Sequence, residues 1–135
     1  MKFSKATDYA LHYMLYLAAT GSDKPIGVVQ LAEKQGVSPT YLSKILTKLV
    51  KAGLIESASG ANGGYSLKRK QEEISFLDVI HAIEGTASLF ECGLKHGPGC
   101  LVQQVMVEAE ERMEQYLRDQ KISVLAEQYS AAQAK

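Results

Sequence analysis

Residues 36–53 read GVSPTYLSKILTKLVKAG, and this stretch decides the fold. Gly36 can take the left-handed geometry that ends a helix, and Val37 is an apolar plug in the turn that follows. Ser38 is a good N-cap and Pro39 suits the first helical position. Leu42, Ile45, Leu46, Leu49 and Val50 then recur at i, i+3, i+4, i+7 and i+8, one apolar helix face that Gly53 brings to a stop. The opposite face carries Thr40, Tyr41, Ser43, Lys44, Thr47, Lys48 and Lys51. A short helix over about 28–35, with Val28, Leu31 and Ala32 inward, precedes the turn. Helix, Gly-containing turn, helix is the helix-turn-helix pattern.

Working outward, residues 54–57 and 65–68 are two short apolar-bearing runs on either side of ASGANGG, residues 58–64. Asn-Gly between such runs predicts a hairpin, here with a long tip, and Lys68, Arg69 and Lys70 make its exit basic. Ser75 followed by Asp78 predicts a capping box opening a helix that buries Leu77, Ile80 and Ile83 and closes at Gly85. Residues 86–99 read as loop. A long helix follows from about 100 to 119, on which Val102, Met106, Ala109, Met113 and Tyr116 form a heptad seam of just over two heptads. Ile122, Val124, Leu125 and Tyr129 predict one last amphipathic turn or two. Upstream, Ser4 caps a helix expected over 5–19 that Gly21 ends, with Tyr9, Tyr13 and Tyr16 on one packing stripe. Residues 21–27 read as a loop.

The charge is divided along the chain. Residues 1–70 hold ten basic and four acidic side chains, a net of +6, whereas residues 71–135 hold five basic and eleven acidic, a net of −6. A basic half suggests a polyanionic partner. The chain is 135 residues long with 46% hydrophobic and 22% charged residues, which suits one globular domain, or one domain with an appendage. Two cysteines are too few for a secreted disulfide scaffold. The uncharged run 9–22 is too short to span a bilayer, and its helical spacing of Ala6, Ala10, Met14 and Leu17 is unlike a uniformly apolar signal segment, so a cytoplasmic protein without membrane association is expected. No phosphate loop, nucleophile elbow or paired His-carboxylate motif supports an enzyme.

Together these segments resemble the Rrf-two family of winged-helix transcriptional regulators, the group of IscR, NsrR and CymR type. The matching residues are SKATDYAL at 4–11, VSPTYL at 37–42, KAGLI at 51–55, GANGGYSL at 60–67 and the helix of residues 74–84. The resemblance implies a mainly α fold: a winged helix-turn-helix with a small β-hairpin wing and a long C-terminal dimerisation helix. It divides the chain into a DNA-binding domain, 1–85, a sensor-type loop, 86–100, and a dimerisation helix with its tail, 101–135. Two departures stand out. Ser59 occupies the position where the family often has an arginine that enters the minor groove. Cluster-binding members carry three closely spaced cysteines before the long helix, and this chain has Cys92 and Cys100 alone.

The expected function is sequence-specific DNA binding as a dimeric repressor on a pseudo-palindromic operator. Ser38, Thr40, Tyr41, Ser43, Lys44, Lys48 and Lys51 on the second helix, with Ser59, Gly60, Asn62 and Gly63 on the wing, are the expected DNA-binding residues. Val102, Met106, Ala109, Met113 and Tyr116 are the expected dimerisation residues. The competing reading is a winged helix used for protein–protein assembly without DNA. His81 and His12 read as packed or half-exposed histidines, and the long-helix methionines as seam residues, rather than as ligands. For Cys92 and Cys100, three readings stay open: inert thiols or a ligand pocket, a metal site shared between chains with His96, and a thiol switch responding to oxidative or nitrosative modification. No cofactor is expected, because two cysteines fall short of a cluster's four ligands. Within the switch reading Cys100, at the helix N-terminus near Lys95 and His96, is expected to be the more reactive sulfur.

Overall fold

The computed structural model describes residues 3–20, 25–61, 63–94 and 99–133. Helix α1 (Lys5–Thr20) starts where Ser4 Oγ accepts the Thr7 N–H at 3.2 Å, and it buries Thr7, Ala10, Tyr13, Met14, Leu17 and Ala18 along one stripe. Helix α2 (Val28–Gln35) ends at Gly36, whose φ of 69° is the left-handed cap that the sequence predicts. Helix α3 (Pro39–Lys51) opens with the Ser38 hydroxyl accepting the Tyr41 N–H at 3.1 Å. Leu42, Ile45, Leu46 and Leu49 of α3 meet Leu31 and Ala32 of α2 and the α1 stripe in one core. Fully burying a Leu or Ile contributes about 1.5–3 kcal/mol each, so these buried residues are a main source of the fold's stability.

The wing is a two-stranded antiparallel hairpin, β1 (Ile55–Ala58) and β2 (Gly64–Leu67), with Ile55 opposite Leu67 and Ala58 opposite Gly64. Each strand lies one residue from its sequence expectation, because Leu54 is drawn wholly into the core ahead of β1. The wing is tied down by a connection that the sequence does not announce. Ile26 pairs with Tyr65 through two backbone hydrogen bonds, Ile26 N–H to Tyr65 O at 3.0 Å and Tyr65 N–H to Ile26 O at 2.9 Å. The end of the expected 21–27 loop thus becomes a third short rung on the hairpin. Gly64, at φ 146°, permits this: a Cβ there would lie 2.4 Å from the Ile26 backbone.

After a single 3₁₀ turn (Gln71–Glu73), helix α4 (Phe76–Glu84) opens with the predicted capping box. Ser75 Oγ accepts from Asp78 N–H at 3.1 Å, and Asp78 Oδ2 accepts from Ser75 N–H at 3.0 Å. Helix α5 (Leu101–Asp119) carries no buried residue of its own, and it is joined to α4 by His81 Nε2 and Glu114 Oε2 at 3.3 Å. Helix α6 (Ile122–Gln133) is longer than the expected turn or two. The chain reverses at Gln120 and Lys121, where Phe76 N–H donates to Gln120 O and Ile122 N–H donates to Ile74 O, both at 2.9 Å. That reversal lays α6 along α1 and puts Ile122 and Ala126 into the same core as Ala10 and Leu46.

Candidate nucleic-acid interface

Helix α3 is half core and half surface. With Leu42, Ile45, Leu46 and Leu49 buried, Thr40, Tyr41, Lys44, Thr47, Lys48 and Lys51 are left exposed. Lys44, Lys48 and Lys51 sit at i, i+4 and i+7, and none forms an ion pair with a carboxylate among the described residues. Three ammonium groups in a row on one exposed helix face can neutralise phosphates without first breaking an internal bond.

The other expected contacts divide. Ser38 has committed its hydroxyl oxygen to the cap. Ser43 is half-buried, and its carbonyl accepts the Thr47 hydroxyl at 2.9 Å. Tyr41 is partly exposed, with its ring edge-on to Tyr9 at 5.9 Å and 84°, so α1 fixes its direction. In the wing, Ser59 and Gly60 are exposed and Gly63 is half-buried, while Asn62 lies outside the described residues. A Cβ on Gly63 would come within 2.2 Å of the Ala58 carbonyl oxygen, so the tip turns back closely on β1. Arg69, which the basic cluster brought to attention, pairs with Asp78 at 3.8 Å and donates to Glu73 O at 3.2 Å. It clamps the wing exit to α4, and Lys68 and Lys70 stay exposed.

The loop before α5 brings the two sulfurs together. Cys100 Sγ and Cys92 Sγ are 3.5 Å apart. Cys100 is the N-cap of α5, buried, with its sulfur accepting the Gln103 N–H at 3.4 Å, and Cys92 is half-buried. His96, Lys95, Gly97 and Pro98 lie outside the described residues. The donor set does not fit an iron–sulfur cluster held by one chain. Such a cluster takes four ligands, the sequence holds two cysteines, and no group of three His, Cys, Asp or Glu side chains is arranged to hold a metal ion among the described residues.

The five seam residues of α5 separate into two faces. Met106 and Met113 are half-buried, whereas Val102, Ala109 and Tyr116 are exposed. Val105, missed by the heptad pattern, joins the exposed set, giving a row of Val102, Val105, Ala109, Arg112 and Tyr116 on one side of the helix. Arg112 is held in that row by Glu108 at 2.7 Å. No helix among the described residues is long and apolar enough to cross a membrane.

Comparison with known proteins agrees with this fold. A family model described as Rrf2, iron-dependent transcriptional regulator, matches residues 3–128. The chain is similar to the protein rrf2 of Nitratidesulfovibrio vulgaris, 38% identical over 100 residues that cover 74% of this chain and 66% of that protein. Across the first curated relatives it matches, the chain spans between 58% and 66% of their length. Its fold is similar to that of CymR, the global cysteine regulator of B. subtilis, with a TM-score of 0.81 and 27% identity over 94% of this chain and 97% of that one. The oxidized form of Staphylococcus aureus CymR gives a TM-score of 0.78 at 32% identity, covering 94% and 97%.

Proposed function

The chain belongs to the Rrf2 family of transcriptional regulators, and from that membership we propose that it binds duplex DNA in the cytoplasm as a symmetric homodimer and represses transcription. The observation that carries this reading is the unpaired row Lys44, Lys48 and Lys51 on α3, on the same chain as an exposed wing tip. The N-terminal half of α3 enters the major groove, where Thr40 and Tyr41 reach base edges and Lys44 and Lys48 meet phosphates. One helix covers few base pairs, so two copies read a pseudo-palindrome with half-sites about 10–10.5 bp apart, or a multiple of that. Ser59 offers the minor groove a hydroxyl in place of a cation, so the wing contributes backbone contacts more than groove-width readout. The protein has no catalytic step.

Operator affinity responds to oxidation of the Cys92 and Cys100 pair, whose 3.5 Å separation supports the reading. A peroxide takes two electrons from the two thiols: the sulfurs bond to each other, both thiol protons leave, and two waters form. The new bond takes Cys100 Sγ away from Gln103 N–H and disturbs the start of α5, the helix that sets the distance between the two recognition helices. No step runs through iron.

Fluorescence anisotropy on operators selected from a random duplex pool tests both parts. Salt dependence should be steep, and in Lys44→Ala and Lys48→Ala it should flatten by about 0.9 log unit for each phosphate that no longer has its lysine. Equal slopes for wild type and the double variant would overturn the placement of α3. Peroxide should release wild-type protein, reversibly on adding dithiothreitol, and release that persists in Cys92→Ser and Cys100→Ser would overturn the switch.

A further inference from the structure

Between α4, the turn at 85–89 and α5 lies a cleft of about 430 Å³. That volume falls within the range of about 300–1,000 Å³ of small-molecule sites. Leu77, Ile80, Met113 and Leu117 form its apolar lining. Three carboxylates, Glu84, Glu110 and Glu114, stand around it with His81, and no Lys or Arg lines it among the described residues.

The carboxylates are fixed by the protein itself. Glu110 accepts Leu89 N–H at 2.9 Å through Oε1 and the Ser88 hydroxyl at 2.8 Å through Oε2. Glu114 Oε2 lies 3.3 Å from His81 Nε2, and Glu84 Oε2 accepts from Ser4 and Thr7. The second oxygens of Glu84 and Glu114 accept no hydrogen bond among the described residues. Held in place beside apolar surface, they form a negative rim, which Lys48 on the neighbouring α3 offsets in part at Glu84. An anion would meet three like charges there.

We propose that this cleft is an effector site for a small organic ammonium compound with an apolar body. The apolar lining takes the body, and the rim of Glu84 and Glu114 takes the ammonium group through charge-assisted hydrogen bonds. The cleft also has the right position. α4 packs on α1 and α3, and α5 carries the exposed row. A ligand wedged between α4 and α5 favours one separation of the two, and so one spacing of the recognition helices in a dimer. Binding is independent of the DNA-binding reading, whereas its effect on operator affinity rests on it.

The test is calorimetric titration of the full chain with three probes that share one body: 4-phenylbutylamine, 4-phenylbutanol and 4-phenylbutanoate. The amine should bind saturably, at least about tenfold tighter than the alcohol, as a charged hydrogen bond supplies, and the carboxylate should not bind. Amide shifts in ¹⁵N spectra should be confined to α4, residues 85–89 and the facing side of α5. Met113→Trp should fill the cleft and abolish binding, and Leu89→Trp, from the exposed rim, should do the same without touching the core. Glu114→Gln should narrow the gap between amine and alcohol. Equal binding of all three probes, or amine binding that survives both Trp variants, would overturn the site. So would amine shifts that follow the Val102 to Tyr116 row, or a cleft that closes as protein concentration rises, which would mean a second copy covers it. An amine that binds while operator affinity stays constant overturns the effector role. Failure of the unliganded protein to bind any operator sinks the DNA-binding reading instead.

Discussion

The Glu84 carboxylate, at the last residue of α4, accepts the buried Thr7 hydroxyl at 2.7 Å, and the same oxygen accepts Ser4 N–H at 2.8 Å and the Ser4 hydroxyl at 3.0 Å. Ser4 and Thr7 form the capping turn of α1, so one acidic side chain ties the start of the first helix to the end of the fourth. The backbone bond from Ser4 is the main cause, and the Thr7 hydroxyl the next, that hold this carboxyl below the usual carboxylate range. A folded-state value below the unfolded one contributes stability that is present above the unfolded value, about 4.3, and lost as pH falls through the folded value. Denaturant midpoints should therefore drop on acidification below about pH 4.3 in wild type. In Glu84→Gln that part of the drop should vanish, because no ionisation remains. Glu84→Ala should cost about 1 kcal/mol at neutral pH, as loss of a helix cap does.

Tyr13 is wholly buried in α1, and its hydroxyl has no hydrogen-bond partner among the described residues. Burial, with Tyr65 nearby, pushes its ionisation above the ordinary range. A buried, unsatisfied hydroxyl costs about 1–3 kcal/mol. Tyr13→Phe should therefore raise unfolding free energy by about 1 kcal/mol, read by urea denaturation. A loss of stability would mean that the hydroxyl has a partner after all.

What was legible in the sequence is local in the chain. Ser38 with Tyr41 and Ser75 with Asp78 are hydrogen bonds spanning three residues, and their signals sit in the residues that make them. The apolar face of α3 was legible for the same reason. What was not legible is long-range. The Glu84 carboxylate meets Ser4 across 80 positions, and Ile26 pairs with Tyr65 through backbone atoms that leave no trace in residue type. The heptad spacing of α5 marked an apolar side, but where α4 packs decides that Met106 and Met113 turn inward while Val102 and Tyr116 do not. The division of charge along the chain pointed to the basic half, yet not to Arg69 being spent on Asp78.

The wing depends on Gly64. A methyl group there would strike the Ile26 backbone, and a φ of 146° is unfavourable for any L side chain. Gly64→Ala should destabilise by more than about 1 kcal/mol, and it should expose the Ile26 and Tyr65 amides to hydrogen exchange. Operator affinity should fall while the salt slope proposed for Lys44 and Lys48 changes little.

In the proposed dimer, the two faces of α5 should respond differently to substitution. Val105→Asp and Ala109→Asp put a charge on the exposed row and should weaken self-association by at least about 100-fold, since an unpaired buried charge costs several kcal/mol. Met113→Ala, on the side facing α4, should instead lower monomer stability and leave self-association near wild type. Sedimentation at several concentrations separates the two effects. An unchanged dimer in both Asp variants would move the interface away from α5.

The thiol pair yields an order of reactivity opposite to the one that charge and helix position suggest. Cys100 has the N-terminal position on α5, but only 4% of its surface is exposed and its sulfur already accepts the Gln103 amide at 3.4 Å. A bulky reagent cannot reach it without a local opening around Cys100. Cys92 is half-buried, so a reagent meets this sulfur first. Maleimide labelling followed by peptide mapping should show Cys92 modified several times faster than Cys100. A small oxidant tests the pair differently, because attack at either sulfur leaves the other 3.5 Å away, close enough to displace water and form the disulfide. Non-reducing mass spectrometry after peroxide should therefore find one intrachain bridge and a loss of two hydrogens per chain. In Cys100→Ser the same treatment should stop at a singly oxidised Cys92, reducible at first and then passing to higher acids. Equal labelling of both cysteines would mean that Cys100 is exposed in solution, and bridges found only between chains would place the partner sulfur on the second copy.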